Sequence, residues 1–595
     1  MGEKKKHIFD LIVLSMLCLV IKGSYVFCNH SLFFYGDQIG TLALPAFLAG
    51  RDWTYIINNT PYYGFGYYWI FFVFFNLFKS YKVIYFMIIL SNLIISLLVE
   101  ILIYEICYYF IRRRGESVLI SVISGSMYTF WVGVTNEHPL FFGIWVVVGL
   151  IVLCEKTNGK RKIVLSSVLA MVLSFLVLVH ERSLALLLAV FMTTLALSIN
   201  KCIVVEPISF STTLAIGFLG GRLLRNFYIR SIFRQGSLSN TSVVNVEAAN
   251  NFNVYDIKGM IVCFITNMYK TLLTSYGLIV FSIILLCIIL KILLKKSKDE
   301  KNMMLIKRNK GLIMIFLSFI FALVITVAGL AYGQGGYLNY ALSSKVDSQS
   351  YKSLFYIRYY EIYLGPIFMT TYILWNKIRV YTNIKIKNIY FYIIILYLIV
   401  VSRILNPVWN SSYGLRHLDF SPIYTDFLCD NNMGYHFNAG ISLFVLLLFV
   451  GLMNSKNKKI ITISLVLMIL LIPQNYQGFS FPSVKTDYDK FYEVLTSIER
   501  DKLPNEIYVD GVNRNTVQFV LNDYEIKQFD KEWTKEDSGI LLSGNNLGDL
   551  ENSIHLNMDE QHIYVKGKQL QDEVLEAWET YIVENERTKG DYIQF

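Results

Sequence analysis

Long apolar runs recur along most of this 595-residue chain, and basic residues interrupt them at intervals. Charged residues make up 16% of the sequence, and the apolar set AVILMFWYC makes up 54%. A soluble protein carries about 25% charged residues, because its surface must be covered with polar groups. A chain so poor in charge and so rich in long apolar runs is typical of a polytopic α-helical membrane protein.

Clusters of Lys and Arg predict the orientation of these runs, since both residues collect in cytoplasmic loops. Such clusters stand at 4–6, 112–114 and 295–310. The net charge of +10 therefore indicates cytoplasmic loops rather than a nucleic-acid partner. The first run, 8–26, has no small-residue cleavage site after it, so we interpret it as an uncleaved span. The alternation predicts a multi-pass cell-membrane protein with a cytoplasmic N-terminus.

About thirteen spans are expected over residues 1–475, the transmembrane domain. An aromatic-rich segment at 64–78 is expected to lie as a helix on the outer surface, where such rings are enriched. The eighth span is expected to follow an interfacial helix within 259–294. The predicted spans are 8–26, 83–110, 118–134, 140–154, 163–179, 184–199, 203–221, 259–294, 311–331, 353–375, 389–405, 437–452 and 460–472.

From about residue 476 the charges become dense and the apolar runs shorten to strand length. Short strands mixed with helices predict a small α/β domain over 476–595, on the extracytoplasmic side. The predicted strands are 506–510, 525–529, 540–543 and 562–566, and the predicted helices are 515–521 and 570–585.

Ionisable groups that interrupt apolar sequence indicate function, because their burial in a membrane is costly. We expect them at the outer ends of spans rather than in mid-membrane, and Asp37 is the first. A carboxylate between aromatic residues can have its pKa raised enough to serve as a general base. The alternative is that Asp37 is the N-cap of a helix that starts at Gln38.

The second candidate is the short connection Asn136-Glu137-His138-Pro139 between two predicted spans. A tight turn with Pro at the start of a helix accounts for Asn136 and Pro139, but not for Glu137 and His138. We therefore take Glu137 and His138 as candidate functional residues, with a tight turn as the alternative.

The third candidate, His180-Glu181-Arg182, forms the whole connection between two predicted spans. It is either an interfacial turn with a snorkelling arginine or an anchor for the substrate-binding network.

The fourth candidate is a set of arginines in an outer loop without lysine: Arg222, Arg225, Arg230 and Arg234. Their spacing places several on one helical face. Arginine forks match phosphate oxygens in bidentate fashion, so we take Arg222 and Arg225 as substrate-binding residues. The alternative is binding to anionic lipid headgroups.

The fifth candidate is Arg358-Tyr359-Tyr360-Glu361, at the outer end of the tenth predicted span. Arg358, Tyr359 and Glu361 are expected to bind substrate. Alternatively Arg358 snorkels to the interface, or pairs with Glu361 in a structural role.

Motifs for nucleotide and hydrolase chemistry are missing from the sequence. It holds no Walker loop, no GxGxxG after a strand, no GxSxG and no CxxC. A nucleotide-driven pump is therefore excluded.

The order of these motifs resembles the GT-C superfamily of glycosyltransferases that use polyprenyl-phosphate sugars, in particular the protein O-mannosyltransferases and aminoarabinose transferases. The shared features are an acidic motif after span one (Gly36-Asp37-Gln38), a second acidic loop after span three, a late Arg358-Tyr359, and a soluble outer domain after the last span. Relatives often show Asp-Glu at the first site, where this chain has Asp37-Gln38.

The resemblance implies transfer of a sugar from a polyprenyl-phosphate to an extracytoplasmic glycan, lipid or protein, with inversion at the anomeric carbon. Asp37 would be the base, arginines would stabilise the departing lipid phosphate, and Glu137 and His138 would orient the acceptor or sugar. No cofactor is required, although related pyrophosphate-dependent enzymes use a divalent metal. The rival functions are a flippase or transporter of lipid-linked sugars and a polysaccharide polymerase or ligase.

Overall fold

Four helices of the computed structural model are long and apolar enough to cross a membrane: Tyr81–Ile111, His138–Lys156, Gly159–Val179 and Lys310–Tyr332. Shorter apolar helices occupy Gln38–Leu48, Ser183–Ile199 and Ile279–Leu294. The structure describes residues 3–23, 30–32, 34, 36–59, 64, 68–127, 137–231, 256–274, 278–294, 300–344, 361–382, 458–470, 484–530, 533, 536–548, 550–558 and 561–591.

The described helices of the membrane part are numbered in chain order. They are α1 (Glu3–Cys18, continued by a π turn at Leu19–Gly23), α2 (Gly36–Leu48), α3 (Thr54–Asn59), α4 (Phe72–Leu77), α5 (Tyr81–Ile111), α6 (Arg114–Ser126), α7 (Glu137–Lys156), α8 (Gly159–Val179), α9 (Ser183–Ile199), α10 (Pro207–Ser231), α11 (Asp256–Thr274), α12 (Leu278–Leu294), α13 (Glu300–Arg308), α14 (Lys310–Ser344), α15 (Leu364–Thr382) and α16 (Lys458–Leu470).

Several predicted spans coincide with these helices within a few residues, notably 83–110 with α5, 140–154 with α7 and 163–179 with α8. Predicted spans 389–405 and 437–452 lie outside the described residues, so the total of about thirteen remains a prediction.

One predicted boundary was wrong. The span placed at 203–221 begins at Pro207 and runs on to Ser231, because Pro suits the first helical turn and Glu206 accepts a hydrogen bond from the Ser209 amide at 2.7 Å. Residues 353–360 of the span placed at 353–375 lie outside the described residues, and the described part is a 3-10 turn at Glu361–Tyr363 followed by α15.

Basic residues of the predicted cytoplasmic loops lie together at one end of the helices. Lys156 Nζ lies 3.7 Å from the centre of the Tyr109 ring. Lys162 and Lys310 both donate to the carbonyl oxygen of Ile203, at 3.2 and 2.9 Å. These contacts join the ends of four helices into one positively charged surface, as expected for the cytoplasmic end.

The C-terminal domain is a five-stranded mixed sheet with helices α17 (Asp489–Ser497), α18 (Arg514–Val520) and α19 (Lys568–Asp591). The strand order is β4 (Glu525–Gln528), β3 (Glu506–Asp510), β5 (Gly539–Ser543), β7 (Gln561–Lys566) and β6 (Ser553–Met558). Strands β4, β3 and β5 are parallel, while β7 is antiparallel to both of its neighbours. The four strands predicted from the sequence match β3, β4, β5 and β7, with each boundary correct to within one residue. Strand β6 and helix α17 were not predicted.

This domain packs onto the segment between α1 and α5, which we call the first outer segment (30–81). Both contribute buried side chains to one hydrophobic core. Trp53 is fully buried there and donates its Nε1–H to the Asn522 carbonyl at 3.2 Å. Arg51 forms an ion pair with Asp523. Burial and the nearby Asp52 carboxylate raise the pKa of Glu525.

Backbone pairing strengthens the attachment. Strand β1 (His30–Ser31) pairs in parallel with β2 (Val484–Lys485). At the start of α5, Lys82 forms an ion pair with Asp489 at 3.3 Å. Helix α5 has 31 residues, which at about 1.5 Å each gives a length of roughly 46 Å. The C-terminal domain and the basic surface therefore lie at opposite ends of α5.

This arrangement predicts opposite labelling at its two ends. A cysteine at the exposed Ser497 should react with a membrane-impermeant maleimide in intact cells, whereas one at the exposed Asn158 should react only after permeabilisation. Wild-type protein measures the background from native cysteines. Labelling of Asn158→Cys in intact cells would invert the predicted orientation.

Candidate functional site

Asp37 lies in the first turn of α2, as the second residue of a helix that begins at Gly36. It therefore does not occupy the cap position that the alternative interpretation assigned to it. A carboxylate in the first turn is stabilised by the N-terminal end of the helix dipole. The side chain of Asp37 lies outside the described residues, so its role as a base stays a prediction.

Glu137 is the first residue of α7, and Pro139 stands in its first turn, where proline is tolerated. The Glu137 side chain lies outside the described residues. The His138 side chain is buried with 1% exposure and interacts with the backbone of Asn92 on α5. Lys22 lies near enough for its charge to act on His138.

A buried ion pair, missed by the sequence analysis, lies beside His138. Lys22 Nζ donates to Glu100 Oε1 at 2.8 Å, to Ser96 Oγ at 3.1 Å and to the Gly125 carbonyl at 3.1 Å. The side chains of Lys22 and Glu100 are each 1% exposed.

This pair contradicts the expectation that ionisable groups avoid mid-membrane. Glu100 stands 11 residues before Ile111, the last residue of α5, which corresponds to roughly 16 Å from the basic end. Two opposite charges within apolar runs, Lys22 in the first and Glu100 in the second, were the sequence signal for such a pair.

Gly125 lets α6 approach this ion pair. A Cβ at that position would collide with the Glu100 carboxylate. Since the Gly125 carbonyl also accepts from Lys22, the pair joins the end of the first helical segment to α5 and α6.

The turn His180-Glu181-Arg182 connects α8 to α9. Its backbone is closed by a bond from the Arg182 amide to His180 Nδ1 at 3.2 Å and one from the Ser183 amide to the His180 carbonyl at 2.9 Å. Arg182 lies near enough to Tyr363 for its charge to act on that hydroxyl. Tyr363 shares its 3-10 turn with Glu361, which is buried with 1% exposure.

The third and fourth predicted motifs meet through an ion pair between Glu181 and Arg225. Arg225 is 21% exposed, and Arg222, one turn earlier on α10, is exposed with its guanidinium 5.4 Å from the centre of the Phe218 ring. The loop predicted for these arginines was wrong, since Arg222 and Arg225 lie within helix α10, where Arg225 has a carboxylate partner.

These groups lie at the end of the molecule that carries the first outer segment. A Cβ on Gly64 would collide with the Val179 carbonyl, so the segment touches the last turn of α8. Leu178 and Tyr228 pack against the core shared with the C-terminal domain. The turn after α8 and the end of α10 therefore adjoin the segment that carries Asp37.

Two predicted residues, Arg358 and Tyr359, lie outside the described residues, as do Arg234 and the side chain of Arg230. Within the described part of the chain, no three His, Cys, Asp or Glu side chains lie close enough together to hold a metal ion. Metal-independent chemistry remains a prediction.

No family model and no curated protein matches the chain. Solved structures of ArnT from Cupriavidus metallidurans resemble it. The form bound to undecaprenyl phosphate is 9% identical with a TM-score of 0.45, and the apo form is 8% identical with a TM-score of 0.42. Both matches cover 96% of this chain and 99% of the other.

We predict that the buried ion pair is needed as a unit. Glu100→Leu alone leaves Lys22 charged and without its carboxylate, which should cost about 3–5 kcal/mol. The double variant Lys22→Met/Glu100→Leu should recover most of that loss, because two apolar side chains replace two opposite charges. The measurement is the melting temperature of purified protein in detergent.

Glu105→Gln is the matched control, since Glu105 lies on the same helix and is 47% exposed. It should melt within about a degree of wild type, as exposed pairs contribute little. If the double variant is as unstable as Glu100→Leu, the loss of stability does not come from the unpaired Lys22 charge, and the prediction is wrong.

Proposed function

We propose that this protein is a membrane glycosyltransferase of the GT-C type, which moves a sugar from a polyprenyl-phosphate to an extracytoplasmic acceptor. The observation that carries the proposal is the grouping at the outer end of the helices. There the helix of Asp37 adjoins the turn 180–182 and the arginine helix α10. A general base and cations for a phosphate are the two requirements of this reaction.

The proposed reaction is a single displacement. The acceptor hydroxyl gives its proton to Asp37, and its oxygen attacks the anomeric carbon. The bond from that carbon to the phosphate oxygen breaks, and the lipid phosphate leaves with the electron pair. Because attack and departure occur on opposite faces of the sugar, the configuration inverts. Base catalysis of this kind contributes about 10²–10⁴-fold.

The arginines would hold the leaving phosphate. Arg222 is exposed at the end of α10, and Arg225 is held in place by Glu181. An arginine with one nitrogen on a carboxylate still presents other N–H donors, so the pair can orient the fork toward a phosphate. Arg358 and Tyr359 remain proposed contacts, and a carboxylate-held divalent metal is not needed in this scheme.

A lipid-linked sugar flippase is the second candidate, and one observation favours it. Charges buried in mid-membrane are frequent in transport pathways, and Lys22 with Glu100 is such a pair. Radiolabelled sugar that crosses the bilayer of a proteoliposome without leaving its lipid would favour the flippase over the transferase.

The Asp37→Asn variant tests the proposed base. Asn keeps the size and polarity of the side chain but cannot accept the proton, so transfer should fall about 100-fold or more. Purified protein is assayed with a panel of radiolabelled polyprenyl-phosphate sugars, and its melting temperature is measured in parallel.

Asp52→Asn provides the matched control. Asp52 is exposed in the same outer segment and accepts from the Thr54 amide at 3.4 Å, a bond that Asn can also accept. Its transfer rate should equal that of wild type. A well-folded Asp37→Asn protein with normal transfer would remove Asp37 from the mechanism and leave Glu137 as the proposed base.

Paired variants separate two roles for Arg225. If it binds the donor phosphate, Arg225→Ala should weaken donor binding about 10-fold or more, and Arg225→Lys should rescue it only in part. Glu181→Gln should then have a smaller effect, because it removes only the orienting carboxylate. Donor affinity is measured with a fluorescent polyprenyl-phosphate. Equal losses in Arg225→Ala and Glu181→Gln would indicate that the ion pair is purely structural.

A further inference from the structure

In the sheet of the C-terminal domain, the connection that follows β3 and the connection that follows β5 lead to opposite edges of the sheet. After β3 the chain passes through α18 to β4 on one side. It then returns to β5 on the other side of β3, and the connection after β5 continues away, to β6. The loops that leave the carboxyl ends of β3 and β5 therefore run apart. In open α/β sheets, ligands bind in the crevice at this point.

Polar side chains occupy this crevice. Asp510 ends β3 and Ser543 ends β5, and Asp510 Oδ2 accepts from Ser543 Oγ at 3.3 Å and from Asn545 Nδ2 at 3.4 Å. Asp510 is partly exposed and Asn545 is exposed. Among the described residues, the bonds to the Asp510 carboxylate involve Oδ2 only, so Oδ1 is available to a ligand.

Glycines bring the two loops together here. Gly511 follows Asp510 with φ +62°, a conformation that favours glycine, and a Cβ on Gly544 would lie 2.7 Å from the Gly511 carbonyl. The Gly544 amide donates to the Asp510 carbonyl at 2.9 Å. The backbone thus holds the Asp510 carboxylate and the exposed Asn545 amide together at the surface of the domain, with the buried Ser543 hydroxyl beneath them.

This edge of the sheet is attached to the segment that carries Asp37. Asn513, three residues after Asp510, donates its Nδ2–H to the Phe34 carbonyl at 3.3 Å, and Phe34 stands three residues before Asp37. Three residues span at most about 11 Å, which limits the separation of Asp510 and Asp37 to roughly 30 Å. Several linked sugars can span that separation.

We propose that the crevice formed by Asp510, Ser543 and Asn545 binds a neutral glycan, as the distal part of the acceptor. A carboxylate accepts from adjacent sugar hydroxyls, and an amide both donates to and accepts from them. The negative charge of Asp510 disfavours an anionic ligand, and the polar lining disfavours an apolar one. The assignment as acceptor rests on the proposed transferase function. Binding of the distal part of the glycan would supply free energy for positioning the reacting hydroxyl of the acceptor.

Direct binding tests this proposal on the full chain in nanodiscs without any donor. The probes are three neutral hexasaccharides, of glucose, N-acetylglucosamine and mannose, measured by isothermal titration calorimetry. At least one should bind, and Asp510→Asn should weaken it at least 10-fold. Asn545→Ala changes an exposed side chain and should also weaken glycan binding. This second variant tests the site even if Asp510→Asn does not fold.

Asp501→Asn is the matched control, because Asp501 is exposed on the same domain away from this edge. It should bind as wild type does. Unchanged binding in both crevice variants, or binding of none of the three probes, would overturn the proposal. Since the assay involves no transfer, glycan binding with no transferase activity would contradict the proposed function alone.

Discussion

The hydrophobic core that the first outer segment shares with the C-terminal domain controls the rest of the outer architecture. Trp53 of the first outer segment is fully buried in this core, which is formed by side chains from both parts. Full burial of one large apolar side chain contributes about 1.5–3 kcal/mol, and the shared core contains many. The segment that carries Asp37 is thereby held by a folded domain at one end of α5. If Asp37 is the base, it needs such support, because small displacements of a catalytic group reduce rates strongly.

On the membrane side the ion pair of Lys22 and Glu100 has the corresponding role. Lys22 is the second-last residue of the first helical segment, and its three hydrogen bonds reach α5 and α6. An apolar contact at this position would allow helices to slide, whereas a buried charge has one arrangement in which it is satisfied. Charge therefore fixes the end of the first helical segment against α5 and α6, and apolar packing fixes the described part of the outer segment against the C-terminal domain.

Helix positions and the α/β character of the last part could be predicted from sequence because both depend on local periodicity. Predicted strand 506–510 matches β3, and α8 ends at the predicted Val179. Contacts between distant residues could not be predicted in this way. Lys22 and Glu100 are 78 residues apart, and each interrupts a different apolar run. The docking of Phe34 on Thr516 joins residues 482 apart. For Arg225, sequence indicated its helix and chemistry, but its partner Glu181 became evident only from the packing of α8 against α10.

The pairing of Arg225 with Glu181 bears on how a lipid phosphate would be released as well as bound. An unpaired arginine in a partly buried site would hold a dianionic phosphate very tightly, and product release would be slow. A carboxylate that already balances part of the positive charge lowers the affinity for the phosphate in both substrate and product. When the site is empty, the same carboxylate compensates the cost of removing the Arg225 guanidinium from water. In the proposed reaction, Glu181 would therefore serve turnover, by making the empty site stable and the departure of the lipid phosphate possible.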